Sequence, residues 1–285
     1  MKQIHPRRSI VSFYAANRRK DRGMLGAIIG DIIGSPYEFS SGKTKRFEMF
    51  RTGSQPTDDS IMTIAVGCAC VQADCRDEIV FKRVLTINMR ELGRLYPDAG
   101  YGGMFYSWLT TDAMGPYNSY GNGSAMRVSP VAYAEDTLAG VERLARWSAE
   151  VTHNHPEGIR GAQAVAAATF LARTGRSKEE IRDYIEKEYY SLGFTLDEIR
   201  PGYSFDVTCQ GSVPQAIVCF LEAKDYEDAV RNAVSLGGDG DTIAAMAGGI
   251  AEAYFGIPED MQEKGLSFLD ETLLDYYLYY ADSLY

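Results

Sequence analysis

The chain has 285 residues, of which 45% are apolar and 24% are charged, and these proportions exclude intrinsically disordered and fibrous proteins. Asp and Glu outnumber Lys and Arg by 39 to 29, so the formal net charge is −10. We therefore expect no nucleic-acid-binding surface, because phosphate backbones are held by concentrated Lys and Arg.

The first 23 residues differ in charge from the rest of the chain. Seven Lys and Arg residues against Asp21 give this segment a formal charge of +6, which leaves −16 for the remainder. We expect residues 1–23 to be a disordered extension or a start assigned upstream of Met24, with a nucleic-acid tail as the less favoured alternative. No apolar run reaches the ~20 residues of a membrane helix, and no signal-peptide core is present. A cytoplasmic protein without membrane association is therefore expected.

Helical periodicity dominates the chain after this segment. Apolar residues recur at spacings of three and four after Thr57-Asp58-Asp59, within 77–95 and again over 156–175. Ser177 followed by Glu180 predicts a capping box at the start of the next helix. Each of these segments is long enough to bury one apolar face against neighbouring helices.

The C-terminal part of the chain continues the helical pattern. Small residues predict a helix face that permits close packing, at Ala244, Gly248 and Ala251. An amphipathic last helix is predicted from Leu273, Tyr277, Tyr280 and Leu284. Alternating strand patterns are nearly absent, and the best strand candidate is the short segment 203–209. We therefore predict a single all-α domain over residues 24–285.

Two acidic clusters stand directly before predicted helices, namely Thr57-Asp58-Asp59-Ser60 and Gly237-Gly238-Asp239-Gly240-Asp241-Thr242. A single Asp at such a position usually caps the helix by accepting hydrogen bonds from its free N–H groups. One cap needs only one acceptor, however, and adjacent carboxylates repel each other. If the two helix starts meet in space, their carboxylates converge, which is costly unless a cation neutralises them.

The ligand chemistry of these clusters indicates which cations would suit them. Oxygen ligands without neighbouring Cys or His favour Mg²⁺, Mn²⁺ or Ca²⁺ over zinc. Two clusters could hold two ions, which would polarise substrate oxygens and activate a water. Spacing alone does not establish that the clusters meet, so metal binding and helix capping both stay open from the residues alone.

A glycine-spaced segment near the start of the domain predicts tight helix packing through Gly26, Gly30 and Gly34, with Asp31 inside the helix. Glu38 follows the helix-ending Ser-Pro and is free to enter a cleft.

A second glycine-containing segment, Gly121-Asn122-Gly123-Ser124, predicts a flexible loop before a helix. Its N–H groups suit a phosphate, although a simple turn with Ser as N-cap fits equally well. His153 and His155 would point apart on a helix. A phosphate hydrogen bond or a helix-junction role therefore suits them better than a shared metal.

Taken in order, these motifs resemble the ADP-ribosylglycohydrolase family, which includes dinitrogenase-reductase-activating glycohydrolase and the ADP-ribosyl-acceptor hydrolases. The resemblance extends from Met24 to about Gly256. It rests on five motifs, which are Gly26-x3-Gly30-Asp31-x2-Gly34-x3-Glu38, Thr57-Asp58-Asp59-Ser60-x-Met62, Gly121-Asn122-Gly123-Ser124-x-Met126-Arg127, Thr152-His153 and Gly237-Gly238-Asp239-x-Asp241-Thr242.

The resemblance implies a compact orthogonal all-α domain with two Mg²⁺ or Mn²⁺ ions in a central cleft. It implies six metal ligands, namely Thr57, Asp58, Asp59, Asp239, Asp241 and Thr242. Glu38 would lie near the distal ribose, and the catalytic residues would be Glu38, Asp58 and Asp241. The substrate-binding residues implied are Asp98 on the leaving-group side and, along the diphosphate, Gly121, Asn122, Gly123, Ser124 and His153.

The function implied is a Mg²⁺-dependent hydrolysis that releases ADP-ribose from a protein side chain or a small acceptor. Cleavage at C1 of the distal ribose passes through an oxocarbenium-like state, so positive charge at C1 must be stabilised. Glu38 would accept a proton from the attacking water or donate one to the leaving group. The alternatives are a catalytically silent ADP-ribose-binding or structural member of the fold, and a two-metal phosphoesterase. We expect a monomer whose partner is the ADP-ribosylated substrate.

Overall fold

In the computed structural model, residues 23–39 and 42–283 are described, and within them the chain forms helices without any β-strand. The all-α prediction is therefore confirmed. The predicted extension up to residue 22 and Leu284 of the predicted last helix lie outside the described residues. The α-helices, in chain order, are α1 Leu25–Gly34, α2 Asp58–Gln72, α3 Glu78–Leu95, α4 Gly103–Thr110, α5 Val131–Ala134, α6 Leu138–Glu150, α7 Pro156–Arg173, α8 Lys178–Glu188, α9 Leu196–Ile199, α10 Cys209–Leu221, α11 Tyr226–Leu236, α12 Gly240–Phe255, α13 Glu259–Leu266 and α14 Glu271–Ser283.

Most helices begin at a side chain that accepts a hydrogen bond from a free backbone N–H. The predicted capping box is present at α8, where Ser177 and Glu180 each accept from the other's backbone N–H. His155 caps α7, because its Nδ1 accepts from Glu157 N at 3.1 Å. These caps satisfy donors that would otherwise be left unpaired at the helix starts.

The best strand candidate, segment 203–209, is a loop up to Thr208, and its last residue, Cys209, begins α10. It pairs through an isolated β-bridge between Gly121 and Thr208, just before α10 begins. Backbone hydrogen bonds therefore join this loop to the glycine-containing loop around Gly121, although the two lie far apart in the sequence.

Helices α1 and α12 pack backbone against backbone at the centre of the domain. Every residue of α1 is buried. A Cβ built on Gly30 would lie 2.1 Å from the carbonyl oxygen of Ala244, and one on Gly34 would lie 2.4 Å from Asp241 Cα. On α12, a Cβ on Gly248 would lie 2.3 Å from Gly26 O. Side chains at these positions would force the helices apart, so the predicted close packing is confirmed.

This contact also positions three chain segments for function. The last turn of α1 lies against the start of α12, and α1 is also hydrogen-bonded to the start of α2. Two helix N-termini therefore meet beside the end of α1, which brings the two acidic clusters together. Among the described residues, no helix combines the length and the apolarity that crossing a membrane requires.

Candidate active site and metal centre

A cavity of about 480 Å³ opens where these helix ends meet. Its two ends differ in composition, because one contains the two acidic clusters and the other the glycine-containing loop with His153. The residues that line it include most of the predicted site, namely Glu38, Thr57, Asp58, Asp59, Gly121, Asn122, Gly123, His153, Asp239, Asp241 and Thr242.

Two predicted site residues do not line the cavity. Asp98 is exposed in the turn before α4. Ser124 is fully buried, and its hydroxyl donates to Gly158 O at 2.7 Å. Ser124 therefore fastens the glycine-containing loop to α7 rather than facing the cavity.

Asp31 organises the acidic end of the cavity. It is fully buried on α1, and its Oδ2 accepts from Thr57 N at 2.8 Å and from Ser60 N at 3.0 Å. Its Oδ1 accepts from Thr57 Oγ1 at 2.7 Å, and the hydroxyl of Ser60 also donates to Oδ2. One carboxylate thus holds the start of α2 against α1. In the sequence, Asp31 is a single charge in an otherwise apolar helix, and this pattern alone does not predict a role for it.

Carboxylate oxygens converge in two overlapping groups that could each hold a cation. One oxygen from each of Asp31, Asp59 and Asp241 lies within 4.8 Å of the others, and the same is true of Glu38, Asp239 and Asp241. This spacing is about twice the metal–oxygen distance of 2.0–2.6 Å that Mg²⁺ and Ca²⁺ adopt. We call the groups the inner triad and the outer triad, and Asp241 belongs to both.

The hydrogen bonding of these groups also fits divalent cations. Asp59 Oδ1 is buried without a hydrogen-bond partner among the described residues, while its Oδ2 accepts from Thr242 Oγ1 at 3.1 Å. A buried carboxylate oxygen without a donor is costly unless a cation takes the donor's place. All the ligand atoms are oxygen, which suits Mg²⁺ or Mn²⁺.

Asp58 stands apart from the two triads. Its side chain is partly buried and lines the cavity, but it belongs to neither group of oxygens. Its backbone N–H donates to Ala99 O at 2.9 Å, which anchors the first turn of α2 to the loop before α4. The predicted ligand set and the observed triads therefore share Asp59, Asp239 and Asp241.

The electrostatics of the acidic end reflect burial and mutual repulsion. Burial raises the pKa of Asp31 to about 6, against the hydrogen bonds that favour its ionised form. Burial and neighbouring carboxylates raise the pKa of Glu38 to about 7 and that of Asp58 to about 8. The pKa values of Asp59 and Asp241 are raised well above their usual range for the same reasons. A bound cation would favour the ionised forms of all these groups.

The second acidic cluster depends on two glycines for its shape. Gly237 and Gly238 have φ of 68° and 77°, a region that other residues rarely adopt. Asp239 occupies the N-cap position of α12 but makes no side-chain cap bond. Its Oδ2 accepts from Asn122 Nδ2, 2.6 Å away. The capping interpretation therefore holds for Thr57, which accepts from Asp59 N at 3.3 Å, and not for Asp239.

The other end of the cavity, which we call the donor end, is formed by the glycine-containing loop and His153. The loop around Gly121 is held by Asn122, whose N–H donates to Val207 O at 2.7 Å and whose Nδ2 lies 3.2 Å from Ser212 Oγ. His153 is 5% exposed and lines the cavity beside this loop. Burial lowers the pKa of His153 well below its usual value, with a further contribution from Arg127. His155 lies at the α7 cap, so the two histidines have separate places.

Among the cavity residues outside the predicted site, three have a notable charge or ring contact. Arg127 is completely buried, and burial lowers its pKa to about 10. Phe39 and Phe205 stack at the rim with ring centroids 5.2 Å apart, and both are exposed. Arg127 belongs to the glycine-loop motif, which could have marked it. Nothing in the sequence pairs the two phenylalanines.

A family model described as ADP-ribosylglycohydrolase matches residues 15–281 of this chain. Human ADP-ribosylhydrolase ARH3 is 28% identical, over 89% of this chain and 91% of the human protein. ADP-ribosylarginine hydrolase Tri1 of Pseudomonas putida is 26% identical, over 86% of this chain and 74% of that protein.

A comparison with solved structures supports the fold. A chain described as "ADP-ribosylglycohydrolase-related protein complex" superimposes with a TM-score of 0.65, at 22% identity. The match covers 94% of this chain and 98% of that one. At this level of identity, the likeness establishes that the two share an all-α architecture.

Proposed function

The chain belongs to the ADP-ribosylglycohydrolase family, and on that premise we propose a Mg²⁺-dependent enzyme that removes ADP-ribose from a modified protein side chain or a small acceptor. The observation that carries this proposal is the pair of carboxylate triads, joined at Asp241, in a cavity whose other end presents hydrogen-bond donors. An ADP-ribosyl group has matching ends, because its ribose offers hydroxyls and its diphosphate is anionic.

The residues that would hold the ions follow from the two triads and the predicted ligands. Asp59, Asp239 and Asp241 are both predicted ligands and members of a triad. Glu38 belongs to the outer triad only, and Asp58, a predicted ligand, lines the same cavity. Two bound divalent ions would neutralise these carboxylates, orient the ribose hydroxyls and lower the pKa of a bound water.

Thr57 and Thr242 suit a ligand role because their hydroxyl protons are already committed. Thr57 Oγ1 donates to Asp31 and Thr242 Oγ1 donates to Asp59. A lone pair on each oxygen then stays available to a cation. In this proposal Asp31 orients Thr57 and Ser60, and it supports the ligands around it.

Glu38 is the proposed proton-transfer residue. It is half-buried at the cavity, and burial together with Asp239 and Asp31 raises its pKa to about 7. Bound cations would lower this pKa again, and the resulting carboxylate could accept a proton from the attacking water or pass one to the leaving group. Its place in the outer triad puts this exchange beside the proposed ribose site.

A product assay tests this function. The wild type and an Asp58→Asn/Asp241→Asn double variant are incubated with Mg²⁺ and three substrates: ADP-ribosyl-arginine peptide, ADP-ribosyl-serine peptide and O-acetyl-ADP-ribose. We expect the wild type to release intact ADP-ribose from at least one of them and the double variant to release none. Asp183→Asn, an exposed acid on α8, is the matched control.

Other outcomes would point to the alternative functions. Release of AMP or phosphate would indicate a phosphoesterase. Tight metal-dependent binding of ADP-ribose without turnover of any substrate would indicate a silent binding protein. Equal release by the wild type and the double variant on every substrate would contradict the proposed hydrolase.

A further inference from the structure

A hydrogen-bonded chain of three side chains runs behind the donor end of the cavity. Arg127 Nη2 donates to Thr152 Oγ1 at 2.9 Å and to Ser148 O at 3.3 Å. Thr152 Oγ1 lies 2.7 Å from Nδ1 of His153. Arg127 and Thr152 are completely buried, and His153 is 5% exposed. Water therefore cannot replace the contacts within this chain.

The donors and acceptors of this chain can be matched in only one consistent way. A guanidinium only donates, so Thr152 Oγ1 must accept from Arg127. Among the described residues, the acceptor within reach of the Thr152 hydroxyl proton is His153 Nδ1. A proton on Nδ1 would leave the buried hydroxyl proton without an acceptor, which is costly. Nδ1 therefore accepts, and the neutral ring carries its proton on Nε2.

The protonated ring nitrogen is the one that faces the cavity loop. A Cβ built on Gly123 would lie 3.0 Å from His153 Nε2, and one on Gly121 would lie 3.7 Å away. The absence of side chains at these glycines lets the ring edge approach the loop backbone. The Nε2–H donor thus lies against the backbone of this loop.

The charge on Arg127 indicates which kind of ligand the Nε2–H group of His153 would bind. Among the described residues Arg127 makes no ion pair, and its Nε and Nη1 have no hydrogen-bond partner. Its guanidinium carbon lies 5.8 Å from the centroid of the Phe105 ring. The Asp58 carboxylate of the same cavity acts on this charge without forming an ion pair with it, so the buried guanidinium still favours an anion in the adjoining cavity.

We propose that Thr152 and Arg127 are positioning residues, which hold His153 in the Nε2–H tautomer so that its ring donates a hydrogen bond to the substrate diphosphate. The opposite tautomer would present a lone pair to the phosphate oxygens and repel them. The identity of the anion rests on the proposed function, whereas the tautomer follows from the protein's own contacts.

The tautomer can be measured directly by nitrogen NMR of protein labelled with ¹⁵N-histidine. The chain has only three histidines, and His153→Phe assigns the resonance by its disappearance. We expect the wild-type ring of His153 to be neutral, with the proton on Nε2 and with Nδ1 as a hydrogen-bond acceptor. A proton on Nδ1 would overturn the proposal, whatever the protein binds.

A double-variant cycle tests whether Thr152 acts through His153. ADP-ribose binding is measured by calorimetry in Mg²⁺ for the wild type, Thr152→Val, His153→Phe and the combined variant. We expect Thr152→Val to weaken binding about tenfold, as for one hydrogen bond to a charged group. In the His153→Phe background the same change should have no further effect.

Thr152→Ser is the matched control, because it keeps the hydroxyl and removes only a methyl group. It should bind ADP-ribose like the wild type and keep the Nε2–H tautomer. An equal loss from Thr152→Val in both backgrounds would overturn the positioning role and indicate a general packing effect. A wild type that binds no ADP-ribose would contradict the proposed function, and the NMR result would then decide the tautomer alone.

Discussion

The two ends of the cavity are stabilised in opposite ways. At the acidic end, buried carboxylates crowd together, and burial and mutual repulsion raise their pKa values. At the donor end, a neutral imidazole and a buried guanidinium lie beside the glycine-containing loop, and this loop contacts the acidic end where Asn122 Nδ2 donates to Asp239. The acidic end is therefore suited to cations, whereas the donor end is held by its own hydrogen bonds and is suited to an anion.

Metal removal should give the largest difference between the two ends, because only the acidic end is proposed to bind cations. We expect chelation to abolish ADP-ribose release and to lower the melting temperature at pH 8. At a hundredfold excess over Kd a ligand contributes about 2.7 kcal/mol of stability. That corresponds to roughly 5–10 °C in a domain of this size. Titration with Mg²⁺ in a thermal-shift assay measures it, and an unchanged melting temperature would contradict the metal site.

The metal-free protein should also show a characteristic pH dependence. In the folded state the pKa values of Asp31, Glu38 and Asp58 are about 6, 7 and 8, above their ordinary values of 3.8 and 4.5. The folded state therefore binds more protons than the unfolded state between these limits, so stability falls as the pH rises through about 6 to 8. Melting temperatures of the chelated protein from pH 5.5 to 8.5 check this. A flat or rising profile would be inconsistent with the buried cluster.

Asp241→Asn should damage the acidic end alone. This residue belongs to both triads, so its loss affects both proposed ion positions. We expect kcat/KM to fall at least about 100-fold, beyond the 10–100-fold typical of residues that only support metal ligands. Mg²⁺ affinity should fall with it, while the His153 tautomer stays unchanged. An active variant with normal Mg²⁺ affinity would remove Asp241 from the site.

Asp31→Asn tests the residue that holds α2 against α1. An amide cannot accept all the hydrogen bonds that Thr57 and Ser60 donate to the carboxylate, and its NH₂ group would face another donor. We expect a loss of about 10–100-fold in kcat/KM, as for other groups that orient metal ligands. Asp183→Asn is again the control, and equal activity of the two variants would count against a supporting role.

Gly123→Ala tests the donor end without touching the carboxylates. The added Cβ would lie 3.0 Å from His153 Nε2, so the ring or the loop must shift. We expect ADP-ribose affinity to fall about tenfold, the value for one hydrogen bond to a charged group. Mg²⁺ binding by calorimetry should be unchanged. A parallel loss of metal affinity would show that the two ends are not independent.

Asp98→Asn should have the smallest effect. The resemblance placed Asp98 on the leaving-group side, but its side chain is exposed and lies outside the cavity lining. Surface substitutions of this kind change stability by about 0.5 kcal/mol or less. We expect kcat/KM close to that of the wild type on all three substrates. A selective loss on one acceptor would restore the residue to the substrate site.

The sequence predicted local structural features better than contacts between distant segments of the chain. The helices, the capping box at Ser177 and the packing through Gly30 follow from spacing within a few residues, and all are present. The family resemblance is likewise confirmed by the match over residues 15–281. Both acidic clusters were recognised because each is contiguous in the chain.

The features that the sequence did not predict depend on tertiary contacts between distant segments. The role of Asp31 requires that α1 and the start of α2 touch, and the contact of Phe39 with Phe205 requires two distant loops to meet. Ser124 was expected to face the cavity, but loop geometry turns it toward Gly158. Metal identity, ion number and the roles of the site residues stay predictions, because they depend on ligands that the sequence does not encode.

The contact between α1 and α12 also determines when the two triads can form during synthesis. Gly26 N donates to Glu252 Oε2 at 2.8 Å across 226 residues of chain, so these helices are sequence-distant partners. A ribosome adds about 5–20 residues per second. Helix α1 is therefore without its partner helix for most of the time that the chain takes to be synthesised. Asp241 arrives on that late helix. A nascent chain therefore cannot assemble either triad until the two parts of the chain have docked.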